Sequence, residues 1–190
     1  MTDTRQRRAR GEGERLRAEL VAAAIELLLE PQALPTPSLR AIARACGVAP
    51  SAVYMHFPSQ DALNYAVTVE LFGRLRHALD AADPPTGTRA DRLRALIDAY
   101  LTWAENHPGA YQLLFERPDP PIESGTGPGL DLLDRLADLL PAEKAPDLAL
   151  RVWCALHGVV SLRIHKPTAP WTSEPRTDAW AVVAALADLR

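Results

Sequence analysis

A chain of 190 residues, 47% hydrophobic and 24% charged, is long enough to bury a core and has the composition of a globular protein. Its formal net charge of −3 excludes a chain that is basic throughout. No apolar run approaches the ~20 residues that a membrane-spanning helix needs, so no membrane partner is expected. The two cysteines, Cys46 and Cys154, form no C-x-x-C pair. Neither a disulfide framework nor a zinc site is therefore expected, and a cytoplasmic location is the simplest one.

Charge is divided unevenly along the chain. Residues 1–60 hold eight arginines and six acidic residues, whereas the remainder holds thirteen basic and eighteen acidic residues. This division indicates a module that contacts nucleic acid joined to a second module with another task. Residues 1–13 carry four arginines and few apolar residues, which predicts a flexible basic arm. The arm either follows the DNA backbone or a minor groove, or it is only a solvated terminus.

The first predicted helix covers residues 14–30, where apolar residues recur at helical spacing. Three prolines then break the chain and lead it to Ser38. Residues 38–57 have the pattern of two short helices around a tight turn. The apolar face of the first is expected to be Leu39, Ile42, Ala43 and Cys46.

Local signals mark the ends of these two helices. Ser38 can cap the first, Gly47 can take the left-handed backbone that ends it, and Pro50 suits the first turn of the second. The second helix is expected to bury Val53, Tyr54 and Phe57 and to expose Ser51, Ala52, Met55 and His56. This is the layout of a helix-turn-helix, although an ordinary helical hairpin without a nucleic-acid partner has the same pattern.

Further helices are predicted after Pro58, separated by stretches rich in proline and glycine. Their ranges are residues 59–81, 89–106, 108–115, 130–140, 147–165 and 178–189, with a loop over 118–129 and a break over 166–175. No segment shows sustained alternation with period two, so no sheet is expected and the predicted fold class is all-α.

The stretch GVAPSAVYMHFPSQDAL, residues 47–63, resembles the signature of the TetR family of transcriptional regulators. The residues that match in order and spacing are Gly47, Tyr54, His56, Phe57, Pro58, Ser59 and Leu63. The resemblance implies an N-terminal three-helix DNA-binding domain over residues 14–58 and a helical ligand-binding and dimerisation domain over residues 59–190. Two positions depart from the family pattern: Ala49 replaces the usual serine or threonine, and Gln60 replaces the usual lysine.

The same resemblance gives roles to the residues near DNA. The helix over residues 49–56 is expected to enter the major groove. The residues expected to face base edges are Ser51, Ala52 and Met55. The residues expected to hold phosphates, and so to set register rather than sequence, are Ser38, Arg40, Tyr54 and His56. Gln60, at the start of the next helix, is expected to offer a phosphate one neutral hydrogen bond.

Two stretches of the C-terminal part, VWCALHGVVSL and NHPGAYQLLFE, resemble the WHG type of TetR-like C-terminal domain. That domain implies a pocket for a small-molecule effector, whose candidate lining residues are Trp103, Tyr111, Phe115, Trp153 and His157. Trp153 and His157 lie four residues apart and share a helix face, beside Gly158, which lets another helix approach closely. They either line the pocket or are packing residues, with the imidazole bonded to a backbone carbonyl.

The last two predicted helices carry more apolar surface than one subunit needs. With the resemblance, this implies a four-helix interface between two copies, and a homodimer suits the two half-sites of a palindromic operator. We therefore expect a repressor of double-stranded DNA that an unidentified small molecule releases, with no cofactor. The alternative is a ligand-binding or protein-interaction module of the same fold without specific DNA binding.

An enzymatic alternative rests on Cys154, His157 and Ser161, which can share one helix face. No glycine-rich elbow surrounds Ser161, so catalysis is not expected. The histidines are scattered singly and no H-x-x-x-H pattern occurs, so no metal site is expected.

Overall fold

The computed structural model describes residues 10–28, 37–117, 129–141 and 145–188, and the regular elements in those ranges are α-helices. The predicted all-α fold class is confirmed for this part of the chain. Most of the expected arm and most of the expected loop over 118–129 lie outside the described residues. None of the helices in the described ranges is long and apolar enough to cross a membrane.

Helices α1 to α3 form an N-terminal unit, α4 leads out of it, and α5 to α9 complete a C-terminal unit around the far end of α4. Their bounds are α1 (Arg10–Glu26), α2 (Leu39–Ala45), α3 (Pro50–His56), α4 (Gln60–Ala82), α5 (Arg89–Asn106), α6 (Pro108–Phe115), α7 (Leu130–Asp138), α8 (Ala145–His165) and α9 (Pro175–Leu186).

The N-terminal unit is held together by one side chain from each of its helices. Leu20 of α1, Ile42 of α2 and Val53 of α3 are completely buried, and Phe57 follows α3 into the same core. Full burial of each such side chain contributes about 1.5–3 kcal/mol. The three short helices therefore depend on one another, because α2 and α3 are too short to be stable alone.

Helix α4 joins the two units through one continuous apolar stripe. Ser59 caps its start by accepting a hydrogen bond from the Ala62 N–H at 3.1 Å. The buried residues that follow at helical spacing include Leu63, Val67, Leu71 and Leu75. Because this stripe enters the core of both units, α4 is the helix through which they are mechanically connected.

Polar contacts fix the ends of the C-terminal helices. Thr88 and Asp91 form a capping box at the start of α5, and the hydrogen bond from the Thr88 hydroxyl lowers the pKa of Asp91. Asp83 accepts two hydrogen bonds of 2.8 Å from Arg92, whose guanidinium holds the pKa of that carboxyl below its usual range. Arg163 of α8 bonds to Asp178 at 2.7 Å and so attaches α9.

Helix ends differ from the predicted ones by a few residues. The first helix begins at Arg10, so residues 10–13 belong to a helix and not to the arm, and it ends at Glu26. Helix α9 begins at Pro175, before the predicted residue 178, because proline occupies its first turn without losing a hydrogen bond. Helix α5 has the predicted bounds.

Candidate nucleic-acid interface and effector region

The turn between α2 and α3 has the geometry that its residues predict. The Ser38 hydroxyl accepts a hydrogen bond from the Ala41 N–H at 3.2 Å and caps α2. Gly47 has a φ of +65°, a left-handed conformation that glycine tolerates best. Pro50 opens α3, and Ala49 before it provides no side-chain cap. The missing cap costs α3 about 1 kcal/mol relative to a serine or threonine at this position.

Helix α3 presents an exposed face opposite Val53. Met55 is 81% exposed and Tyr54 is 51% exposed, and Ser51 is exposed beside them, whereas Ala52 and His56 are half-buried. The expectation that Tyr54 packs on the apolar side is wrong, because Val53 and Phe57 are buried here whereas Tyr54 is not. A 51% exposed tyrosine can reach the DNA backbone, which is the other role expected of it.

The residues expected at phosphates lie at two ends of this unit. Ser38 and Arg40 are exposed at the start of α2. His56 lies at the end of α3 and close to Gly13 of α1, since a Cβ built on Gly13 would be 3.9 Å from the imidazole of His56. The Arg17 guanidinium lies 5.0 Å from the centroid of the Phe57 ring. This position of Arg17 cannot be predicted from the sequence, because no local pattern shows that α1 passes beside the end of α3.

Gln60 lies differently from the expectation. Its amide oxygen accepts a hydrogen bond from the Leu39 N–H at 3.2 Å, and its amide nitrogen donates to the Pro37 carbonyl and to Asn64 Oδ1, each at 3.1 Å. Both ends of the amide are thus engaged inside the protein. The groups that would make the expected phosphate contact of Gln60 thus bind the start of α2 and Asn64 in this structure.

Four of the five candidate effector residues form one aromatic cluster in the C-terminal unit. They are Tyr111, Phe115, Trp153 and His157, with ring centroids between 4.9 and 6.3 Å apart. Tyr100 belongs to the same cluster and was missed, because only the fold brings α5 against α6 at this point. Tyr111 is completely buried, whereas Phe115, Trp153 and His157 are half-buried.

A chain of hydrogen bonds runs through this cluster. The Tyr100 hydroxyl donates to the Tyr111 hydroxyl at 3.2 Å, and the Tyr111 hydroxyl is hydrogen-bonded to His157 Nδ1 at 2.6 Å, where the imidazole tautomer decides which group donates. Burial raises the pKa of both tyrosines and lowers that of His157, so the uncharged form of all three side chains is favoured. Since Tyr111 accepts from Tyr100, we assign its own hydroxyl as the donor to Nδ1, and the single N-bound proton of the neutral imidazole is then on Nε2. The imidazole is thus bonded to a hydroxyl and not to the expected backbone carbonyl.

Trp103 is separate from this cluster. It is 5% exposed, its ring stacks on His107 with centroids 5.1 Å apart, and it lines a cleft of about 530 Å³ between α4 and α5. Alanine side chains make most of the apolar wall, and the polar part consists of Asp98, Thr102, Asn106 and His107. The volume lies within the range of small-molecule sites.

The residues of the enzymatic alternative do not act on one another. The Ser161 hydroxyl donates to Glu116 at 2.8 Å, His157 is bonded to Tyr111, and Cys154 is exposed. No group of three or more histidine, cysteine or acidic residues that could hold a metal occurs within the described ranges. Among the described residues, no atom lies within 4 Å of a Cβ added to Gly158, so the close helix approach expected there is not made by any helix of this part of the subunit.

The two helical units and the exposed face of α3 define a DNA-binding protein of the helix-turn-helix class. Residues 20–67 match the family described as bacterial regulatory proteins, tetR family, and residues 93–187 match the tetracyclin repressor-like C-terminal domain. The chain therefore belongs to the TetR family of transcriptional regulators, a non-enzymatic family of DNA-binding proteins. The finer resemblance to a WHG type stays a prediction.

Solved structures share this fold over nearly the whole chain. A protein of unknown function from Rhodococcus sp. RHA1 has 23% identity and a TM-score of 0.72, covering 91% of this chain and 94% of that one. A TetR-like transcriptional regulator from Rhodococcus sp. RHA1 has 21% identity and a TM-score of 0.66, covering 95% and 96%. A tetR-family transcriptional regulator from Streptomyces coelicolor has 18% identity and a TM-score of 0.66, covering 93% and 80%. At these identities the likeness shows the fold alone.

Proposed function

We propose that this TetR-family regulator is a homodimeric cytoplasmic repressor that leaves a palindromic operator when a small molecule binds its C-terminal unit. The observation that carries the proposal is the exposed face of α3, where Ser51, Tyr54 and Met55 have no core to pack against. Met55 is 81% exposed and Tyr54 beside it is 51% exposed, so both side chains are accessible to a partner. A major groove provides that partner, because it admits an α-helix and offers apolar thymine methyl groups.

The residues proposed to contact DNA fall into two sets. Ser51, Ala52 and Met55 contact base edges and distinguish sequences. Contacts to phosphate come from Ser38, Arg40, Tyr54 and His56, and these orient the domain on any sequence. Gln60 has no direct contact with DNA in this proposal.

Dimer formation is supported by an apolar face on α8 and α9. Leu150 and Leu162 of α8 are 49% and 50% exposed, and Val182 and Leu186 of α9 are 42% and 40% exposed. Gly158 lies on α8 between the two leucines and leaves room for a helix of the second copy to approach closely. Two copies that bury this face against each other make an isologous interface, as two-fold operator symmetry requires.

Release from the operator follows from the position of α4. A ligand bound between the helices of the C-terminal unit favours one arrangement of α4, and α4 carries the DNA-binding units of the dimer with it. A modest rotation changes the distance between the two copies of α3, which must match one turn of DNA, about 34–36 Å, or a whole number of turns. The ligand thus acts through its differential affinity for the two arrangements.

Two places in the C-terminal unit suit the effector. The cleft beside Trp103 has a volume of about 530 Å³. The aromatic cluster offers His157, whose Nδ1 is engaged by Tyr111, so a ligand there is bonded through Nε2. Trp103→Ala and His157→Gln distinguish them: the variant that keeps DNA binding and loses the response to the effector identifies the site.

The experiment that tests the proposed function is a gel shift on the DNA flanking the gene of this protein, with random DNA as competitor. We expect a complex that survives an excess of competitor and is lost in a variant that replaces Ser51, Tyr54 and Met55 by alanine. A folded wild-type protein that binds both DNAs equally would instead support the alternative module without specific DNA binding. The absent cap at Ala49 is the observation in favour of that alternative.

A further inference from the structure

The side chain of Gln60 connects the first turn of α4 to the start of α2. Leu39 is the first residue of α2, so its N–H has no partner within that helix. Gln60 Oε1 accepts this N–H at 3.2 Å, and Gln60 Nε2 donates to the carbonyl of Pro37 at 3.1 Å. Ser38 caps a different N–H, that of Ala41, so the start of α2 has one local cap and one cap from another helix.

The uncharged amide of glutamine satisfies both contacts. The Leu39 N–H can only donate and the Pro37 carbonyl can only accept, so the site needs an acceptor and a donor on one side chain. Lysine, which the family pattern has at this position, offers donors and no acceptor. A lysine here would leave the Leu39 N–H unpaired and would place a positive charge beside the start of a helix, where the helix dipole disfavours it.

We propose that Gln60 is a positioning residue that holds the start of α2 against α4 and thereby sets where α2 meets the DNA backbone. The proposal rests on the docking of α3 in the major groove that is proposed above. Ser38 and Arg40 flank Leu39, so an error in the position of this turn displaces both phosphate contacts together. In this chain Gln60 acts through hydrogen bonds within the protein, and not through a contact of its own with DNA.

The variants are Gln60→Ala, which removes both contacts, and Gln60→Lys, which removes the acceptor and adds one positive charge. The matched control is Asp61→Asn, which changes the charge by the same amount at the next, exposed residue of α4 and leaves Gln60 intact. Binding to operator and to random DNA is measured over a range of salt concentrations, well below the unfolding temperature of each variant. Exchange of the Leu39 amide hydrogen is measured in the free protein by NMR.

We expect Gln60→Ala and Gln60→Lys to weaken binding to both DNAs by at least about fivefold in each subunit, the value of one hydrogen bond, because each variant loses one or both contacts. The slope of log affinity against log salt does not steepen, because no phosphate contact is added, and displacement of the Arg40 contact makes it shallower. Asp61→Asn binds as tightly as wild type or more tightly. Exchange of the Leu39 amide is faster in both Gln60 variants and unchanged in the control.

The proposal is overturned if Gln60→Lys binds more tightly than wild type and steepens the salt slope by about 0.9 in each subunit, as one added phosphate contact would. It is also overturned if exchange of the Leu39 amide is the same in all proteins. A wild-type protein that bound no DNA would refute the proposed function. In that case the exchange rates of the Leu39 amide hydrogen in wild type and in the Gln60 variants would still decide whether Gln60 holds the start of α2.

Discussion

The hydrogen bonds that join Tyr100, Tyr111 and His157 predict that Tyr111→Phe lowers the free energy of unfolding more than Tyr100→Phe does. Tyr111→Phe removes the central hydroxyl. The Tyr100 hydroxyl, on a side chain that is 5% exposed, then has no acceptor in its observed direction, and His157 Nδ1 has no donor. A buried polar group left without a partner costs about 1–3 kcal/mol. Because His157 is half-buried and can recover water, we expect a total loss of about 2–4 kcal/mol.

Tyr100→Phe is the matched control, since it removes one hydroxyl from the same cluster. The Tyr111 hydroxyl still donates to His157 in this variant, so no buried donor is left unpaired. We expect a loss of about 0.5–1.5 kcal/mol, the net value of one hydrogen bond. The assay is denaturant unfolding of both variants at one fixed protein concentration, because association of subunits also changes apparent stability. Equal losses, or a larger loss for Tyr100→Phe, would refute the assigned direction of the chain.

Three further predictions concern DNA contacts, the aromatic cluster and pH. Tyr54→Phe should weaken binding to operator and to random DNA alike in a fluorescence titration. Ser51→Ala should weaken binding to the operator more than binding to random DNA, by about 1 kcal/mol. A change of base preference in Tyr54→Phe alone would contradict these roles. Trp153→Ala should lower the free energy of unfolding by about 2–3 kcal/mol, below the ~3–5 of a fully buried aromatic residue, because Trp153 is half-buried; a variant of full stability that had lost only its effector response would make Trp153 a pocket wall. Burial lowers the pKa of His157 from its ordinary 6.5, so the unfolded state binds this proton more readily and stability falls as pH is lowered below about 6.5; His157→Gln should flatten this slope in urea unfolding at pH 5 to 7, and an unchanged slope would show that His157 does not carry it.

Features that depend on a few neighbouring residues could be predicted from the sequence. Ser38 and Ser59 cap α2 and α4, Gly47 has a left-handed backbone, and Pro50 opens α3, all as their local patterns indicate. Such signals are reliable because the donor and the acceptor of a cap lie within three residues of each other. The fold class and the bounds of α5 follow from the same local rules.

Contacts between distant parts of the chain could not be predicted. Gln60 is 21 residues from Leu39, and Tyr111 is 46 residues from His157. No periodicity within a helix encodes which backbone group a glutamine meets in another helix. The separation of Trp103 from the other candidate effector residues could not be predicted either, because its surroundings depend on how α4 packs against α5.

Tyr54 shows a different failure, one of helix phase. In a helix of seven residues, a residue one position from the buried Val53 can be assigned to either side by apolar character alone. The apolar ring of Tyr54 favours a core position in the sequence, whereas the side chain is 51% exposed in the structure. Short helices provide too few turns for the 3.6-residue period to correct such an error.

The most direct test of this account is a hydroxyl-radical footprint of the wild-type protein on the DNA flanking its own gene. Two copies of α3 in adjacent major grooves predict two protected half-sites related by two-fold symmetry. Their centres should be one helical turn apart, about 10–10.5 base pairs, or a whole number of turns. A single protected half-site at saturating protein, or two half-sites separated by a half-integral number of turns, would contradict the symmetric dimer that presents α3 to the major groove.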